Sequence, residues 1–203
     1  MANKTSFSLV DLAISLMVIF ILLFVSTMHN MGQTTESARE QLANALQGQK
    51  IEVATMEGDS AALKSVIPED KLRFRHNMAD LLPEGKEFLD SFIVKEAQAV
   101  CEGDIREKIQ SIQIVGHTNS LGNDEHNLKL SQERAFAVMM YALHNPLLSN
   151  EQKDCLFDLI TVNGRGEREL IFKEDGTEDR IKSRRVEIIY RVKSVEELQK
   201  KPS

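Results

Sequence analysis

One acid in this chain stands where acids are seldom found. Asp11 lies inside FSLVDLAISLMVIFILLFVSTM, residues 7–28, an otherwise almost wholly apolar run. A carboxylate in such a helix is costly, and the chemistry that compensates the cost is ion carriage or pairing with a partner. A blander reading places Asp11 close enough to the helix start to reach lipid headgroups and favour the positive end of the helix dipole. The second candidate is Arg134, on a helix that follows a strand ending at Thr118. The loop between them leaves polar groups at the strand's mouth, and a guanidinium there is a planar fork suited to bidentate capture of a carboxylate. A bracing role within the fold for Arg134 and Arg185 is the alternative. No nucleophile–base pair and no phosphate-cradling glycine loop is present in the sequence, so an enzyme is not expected.

The elements that must position these residues divide the chain unevenly. Its 203 residues leave room for one ordinary domain plus an anchor. Roughly 20 apolar residues span a bilayer core, and residues 7–28 suffice. A signal peptide would have a shorter apolar core and a small-residue cleavage site, and a buried soluble helix is rarely so uniformly apolar. An uncleaved anchor is the reading that remains. Lys4 precedes it and a single Arg with two Glu follow closely, so the positive-inside rule puts residues 1–6 in the cytoplasm and the rest outside. The net charge of −6 and the absence of Trp argue against nucleic-acid partners and stacking platforms. Cys101 and Cys155 lack a CxxC partner. They are read as buried or free thiols, or as one disulfide if the domain faces an oxidising compartment.

Beyond the anchor, residues 29–69 read as a linker. Within it Thr34–Gln47 has helical spacing, with Ser37 and Glu40 set for a capping box, and Gly48–Ser65 is a small, polar tether. Residues 70–194 then alternate strand and helix signals, and 195–203 form a tail. Strands are expected at Lys71–His76, Ile109–Thr118, Ile160–Asn163 and Val186–Val192. Helices are expected at Pro83–Val100, Asn127–His144 and Glu151–Leu159. The fold class that follows is α/β, with helices on one face of a small mixed sheet.

Two stretches carry more than pattern. GHTNSLGNDEHNLKLSQERAFAV, Gly116–Val138, is followed by GRGERE and SRRVEIIY between Gly164 and Tyr190. Together they resemble the OmpA-like peptidoglycan-binding family, whose pattern is GHTD…N…LS..RA..V, then G.GE, then NRRVE. The resemblance implies that Thr118, Asn119, Asn127, Leu130, Ser131, Arg134 and Arg185 form a peptidoglycan site. In the family the acid after GHT holds the amine of the peptide stem and the helix arginine holds its carboxylate. Arg134 keeps the second role; Asn119 stands in the first without its charge, and Ser183 replaces the family's Asn. His117 and His126 are structural on this reading, with no metal and no cofactor implied.

The apolar helix with Asp11 near its start, joined to such a domain, resembles the MotB family of stator subunits. It is similar above all to the ZorB subunits of Zorya anti-phage systems, which share NLKLS, an insertion like LLSNEQ…LF and SRRVE in place of NRRVE. The resemblance implies a homodimer inside a pentamer of polytopic MotA- or ZorA-like subunits in the inner membrane. It implies an ion-driven rotary motor, with Asp11 as the proton carrier and the C-terminal domain in the periplasm on peptidoglycan. A flagellar-type stator subunit, or a passive tether between membrane and wall, is the alternative.

Overall fold

The computed structural model describes residues 9–46, 52–56, 59–194 and 197–198. The expected cytoplasmic N-terminus, 1–6, and most of the expected tail lie outside them.

The chain opens with α1 (Leu9–Leu46), 38 residues long and continuous. The side chains described in its apolar half, 11–27, are all exposed. Among the described residues, no helix is long and apolar enough to cross a membrane; the span expected over 7–28 extends past the described side chains at both ends. The last turns of α1 behave differently: Ala38, Leu42 and Leu46 are buried in the core of the domain, and Lys108 Nζ donates to Gln41 Oε1 at 2.7 Å. The expected short helix with a capping box at Ser37 is thus the end of a longer one. Its backbone donors already have helical partners, so Ser37 has no helix start to cap.

Two strands follow, β1 (Glu52–Met56) and β2 (Asp59–Pro68). Most of the expected tether therefore sits in the sheet. β2 runs antiparallel to the last strand from Ala62↔Arg191 to Pro68↔Arg185. The expected strand at Lys71–His76 is absent from the sheet. That segment makes only an isolated bridge, Phe74↔Leu81, while burying Leu72 and Phe74 in the core. Alternation correctly marked which side chains turn inward; the missing strand partner is information that local sequence lacks.

α2 (Pro83–Cys101) begins on Pro at its first turn, where the missing N–H costs nothing. A short α3 (Ile105–Lys108) leads into β3 (Ile109–His117), then α4 (Asp124–Leu143), α5 (Asn150–Leu159) and β4 (Ile160–Gly166). α6 (Arg180–Ser183) and β5 (Arg185–Val192) complete the described elements. Asn123 caps α4 by accepting from His126 N, and Ser149 with Gln152 forms a full capping box on α5.

The five strands make one mixed sheet in the order β1-β2-β5-β3-β4. β3 and β4 are parallel, as a crossover through α4 and α5 requires; the other pairs are antiparallel. Register places Ile112, Ile114, Val186, Ile188, Tyr190, Leu63 and Ile67 on one face. All are buried in the core cluster shared with α2, α4 and α5 or at its edge. Cys101, at the end of α2, is joined to Cys155 of α5 by a disulfide with Cα atoms 6.0 Å apart.

Candidate functional site

The site is built where α4 lies on the ends of β3 and β4, and two glycines let it lie there. A Cβ on Gly116 would sit 2.1 Å from the Ser131 carbonyl oxygen, and one on Gly164 would sit 2.6 Å from Gln132 N. Only bare backbone permits that approach. Ser131 then locks the contact, its hydroxyl accepting from Gly166 N at 2.9 Å and donating to Leu128 O at 2.8 Å. Gly166 itself has φ +58. Ser131 and Leu130 are both buried. They dock the helix, and this sets the angle at which Arg134, one turn further on, leaves it.

Asn119 and Asn127 hold the loop between β3 and α4. Asn119 Oδ1 accepts from Leu121 N at 3.2 Å, closing a tight turn. Asn127 Nδ2 donates to the Asn119 carbonyl at 3.3 Å and to Glu167 Oε2 at 2.5 Å. Thr118 N donates to Gly166 O at 2.9 Å, tying the loop to β4. The structure thus brings Thr118, Asn119, Asn127 and Ser131 together around the junction of β3, β4 and α4, with Leu130 buried beside them.

Arg134 points elsewhere, toward a small cavity of about 10 Å³ lined by Glu69, Leu72, Phe74, His117, Arg184 and Arg185 among others. Asn119 is not among the lining residues. The Arg134 guanidinium lies 5.0 Å from the centre of the Phe74 ring, a cation–π distance. Its Nε donates to the Met78 carbonyl at 3.1 Å. Burial lowers its pKa; the Glu69 charge opposes that shift and Arg184 adds to it. Its two terminal nitrogens have no hydrogen-bond partner among the described residues, although the residue is only 6% exposed.

The neighbouring arginines are already paired. Arg184 Nε binds Glu69 Oε2. Arg185 Nε donates to Glu187 Oε1 at 2.7 Å, and its NH1 donates to the carbonyls of Glu169 at 3.1 Å and Ser183 at 3.3 Å. Arg185 is thus engaged within the fold on both its Nε and its NH1. Burial would raise the Glu187 pKa, but the facing His117 ring and the Arg185 guanidinium overcome it and hold the carboxyl at about 2. His117 Nε2 lies 3.6 Å from Glu187 Oε2 and Nδ1 4.0 Å from Glu169 Oε2. These three residues bring potential ligand atoms within 4.8 Å of one another. Glu187 is, however, already taken by Arg185 and Lys64, and Glu169 by Arg165. Their arrangement is an ion-pair network that fixes the strand ends.

With this geometry in place, the comparison with known proteins is direct. Residues 73–184 match the OmpA family. The chain belongs to the OmpA family. Outer membrane protein A of Bordetella avium is 31% identical over 127 residues, 63% of this chain and 57% of that protein. The chain thus spans little more than half the length of that relative. The periplasmic domain of Helicobacter pylori MotB (residues 90–256) superposes with a TM-score of 0.52 at 16% identity, covering 73% of this chain and 83% of that one. A putative MotB-like protein from Desulfovibrio vulgaris gives a TM-score of 0.51 at 17% identity, covering 81% and 98%. At these identities the likeness establishes the fold. It is an OmpA-like domain of mixed α/β architecture, the fold of MotB periplasmic domains.

Sequence reasoning did not find Glu69, Phe74, Met78 or Arg184 as neighbours of Arg134. Glu167 and Glu187 do lie within the GRGERE and SRRVE motifs. Glu69 sits just after β2 in a stretch with no chemical signature, and only the β2–β5 pairing brings it to Arg184.

Proposed function

We propose that this chain is the B subunit of a MotAB-like, proton-driven rotary motor of the inner membrane, anchored to peptidoglycan by its C-terminal domain and serving Zorya-type anti-phage defence. The observation that carries the proposal is the position of Asp11. It lies in the first turn of a helix whose apolar half is exposed and whose last turns enter the core of an OmpA-like domain. An acid on an exposed apolar helix needs a partner, and polytopic subunits packed around that helix supply one. In this reading residues 7–28 cross the bilayer and the domain lies in the periplasm. Two copies stand within a pentamer of A subunits, and Asp11 takes a proton from outside and releases it inward. Each elementary charge moved across the membrane potential supplies about 2.3 kcal/mol per 100 mV. The Cys101–Cys155 disulfide supports an oxidising compartment for the domain. Arg134 supplies the wall contact by taking the stem carboxylate.

The test is Asp11→Asn, which keeps size and hydrogen-bonding shape and removes the titrating carboxyl. The complex should assemble with its A subunits and lose motor-dependent output, read as phage resistance or swimming. Assembly with full output would leave the passive tether as the function, and failure to co-purify with any polytopic subunit would remove the motor altogether.

A further inference from the structure

The core holds a carboxyl that the site around Arg134 does not use. Glu96 stands on the inner side of α2 and is buried. Tyr190 of β5 and Ser65 of β2 lie on the sheet face that carries Ile188 and Leu63. Both are fully buried, and neither hydroxyl has a hydrogen-bond partner at bonding distance among the described residues. Burial, with no cation beside it among the described residues, raises the Glu96 pKa to about 7. Tyr190 is the titratable group that faces it, and its own pKa stands well above 10.0. The charged side chains of the surrounding elements are turned elsewhere. On α2, Lys95 is exposed and Asp90 takes Tyr141 and Asn145. Lys64 of β2 and Arg185 of β5 meet at Glu187, and Arg191 binds Asp59. On α3, Arg106 pairs with Asp158 of α5, and Lys108 with Gln41 of α1. α1 faces the core with Ala38, Leu42 and Leu46, leaving Arg39 half-buried and Glu40 exposed.

The end of α1 packs on α2, α3, β2 and β5, so it covers the three elements that carry Glu96, Ser65 and Tyr190. Of the parts around that cluster it is the one most easily lifted. β2 and β5 share a hydrogen-bonded ladder. α2 is stapled to α5 by the Cys101–Cys155 disulfide and tied to α4 through Asp90. The end of α1 has neither a backbone ladder nor a covalent staple to the domain among the described residues, and such parts open at less cost than the sheet. We propose that Glu96 is a proton-operated latch for the end of α1: with the carboxyl protonated Ala38, Leu42 and Leu46 stay docked, and its ionisation releases them. A carboxylate without a cation is far costlier to bury than the neutral acid, and lifting α1 returns it to water. α1 also carries the exposed apolar half with Asp11. The latch therefore sets whether that half and the domain are held as one body, whatever the apolar half does.

The experiment is amide hydrogen exchange on the full chain in detergent, read as protection factors from pH 5 to pH 8. Once off the core, residues 42–46 are an unsupported helix terminus whose amides exchange. With the Glu96 carboxyl at 4.5 when released and about 7 when docked, their opening should grow by tens of fold over that range and level off above about 7. They should be less protected than the amides of β3 at every pH, as local release requires. Glu96→Gln should remove the pH dependence and keep 42–46 as protected at pH 8 as at pH 5. Wild-type protection at 42–46 that does not change with pH overturns the proposal. So does protection equal to that of β3 and falling with it, which is loss of the whole fold; neither result depends on a variant's folding. A Glu96→Gln protein with the wild-type slope assigns the titration to another group and overturns the proposal as well.

Discussion

Glu96 gives the core of this domain a titration that can be measured. It lies on the inner side of α2 and is 6% exposed, with Tyr190 of β5 and Ser65 of β2 buried around it. Burial raises its pKa from 4.5 to about 7, and the neighbouring Tyr190 hydroxyl opposes the shift only in part. Burial, and then the Glu96 charge, in turn push Tyr190 well above 10.0. The sign follows from proton counting. Between pH 4.5 and about 7 the folded chain holds a proton that the unfolded chain has lost, so stability falls as pH rises through that window. Above about 7 both forms are ionised and the contribution stays at its lowest. At ~1.36 kcal/mol per pH unit, the window from 4.5 to about 7 is worth about 3 kcal/mol. Glu96→Gln keeps the shape beside Tyr190 and removes the ionisation. The variant should be the more stable protein at pH 8, by up to about 3 kcal/mol or roughly 10 °C in Tm. The two melting curves should converge toward pH 5. Thermal unfolding of both proteins from pH 4.5 to 8.5 is the assay, and taking the difference cancels the histidines and other groups common to both. A difference that does not change with pH, or a Gln variant that loses stability above pH 7 as steeply as wild type, would refute the reasoning.

Three further perturbations test the frame around the site. Reducing Cys101–Cys155, or replacing both with Ala, should cost about 4 kcal/mol on a chain-entropy estimate for a loop of this size, the sequence separation being 54; urea unfolding with and without reductant reads it directly. Gly116→Ala places a methyl 2.1 Å from the Ser131 carbonyl, so α4 must shift, and a loss of roughly 3 kcal/mol or more is expected in the same assay. Asn127→Ala removes the amide joining Asn119 to Glu167 and should destabilise by about 1–3 kcal/mol, with faster hydrogen exchange confined to the 118–124 loop.

Much of the fold was legible because its signals are local. Pro83 opens α2, and the spacing of Glu151–Leu159 marks α5, which the structure begins at Asn150. The alternation of Ile109–His117 gives β3. A cap signal misled at Ser37, where Glu40 follows three residues on, because the helix had already started far upstream at Leu9. A capping box marks a helix start only where backbone donors are unpaired, and sequence does not say where they are. β2 was missed for the opposite reason. DSAALKSVIP is rich in small and polar residues with weak strand preference, and its conformation comes from pairing with β5. Lys71–His76 shows the converse, an alternation with inward Leu72 and Phe74 but no sheet neighbour.

The site divides along the same line. GHTN, LSQERA and GRGERE fold onto one another through the glycine contacts with α4. What the motifs did not contain is the other wall of the Arg134 cavity. Glu69, Phe74 and Met78 arrive from the segment between β2 and α2, and their approach depends on a pairing some 120 residues long in sequence, Pro68↔Arg185. This changes the chemistry assigned to the arginine. Read from the motif, Arg134 is one half of a pair whose other half, Asn119, has lost its charge, and binding should be weak. In the folded chain Arg134 shares its cavity with a glutamate that no motif predicts. Substitution at a motif position therefore does not establish loss of the function the motif serves; the charge balance of the assembled cavity decides that.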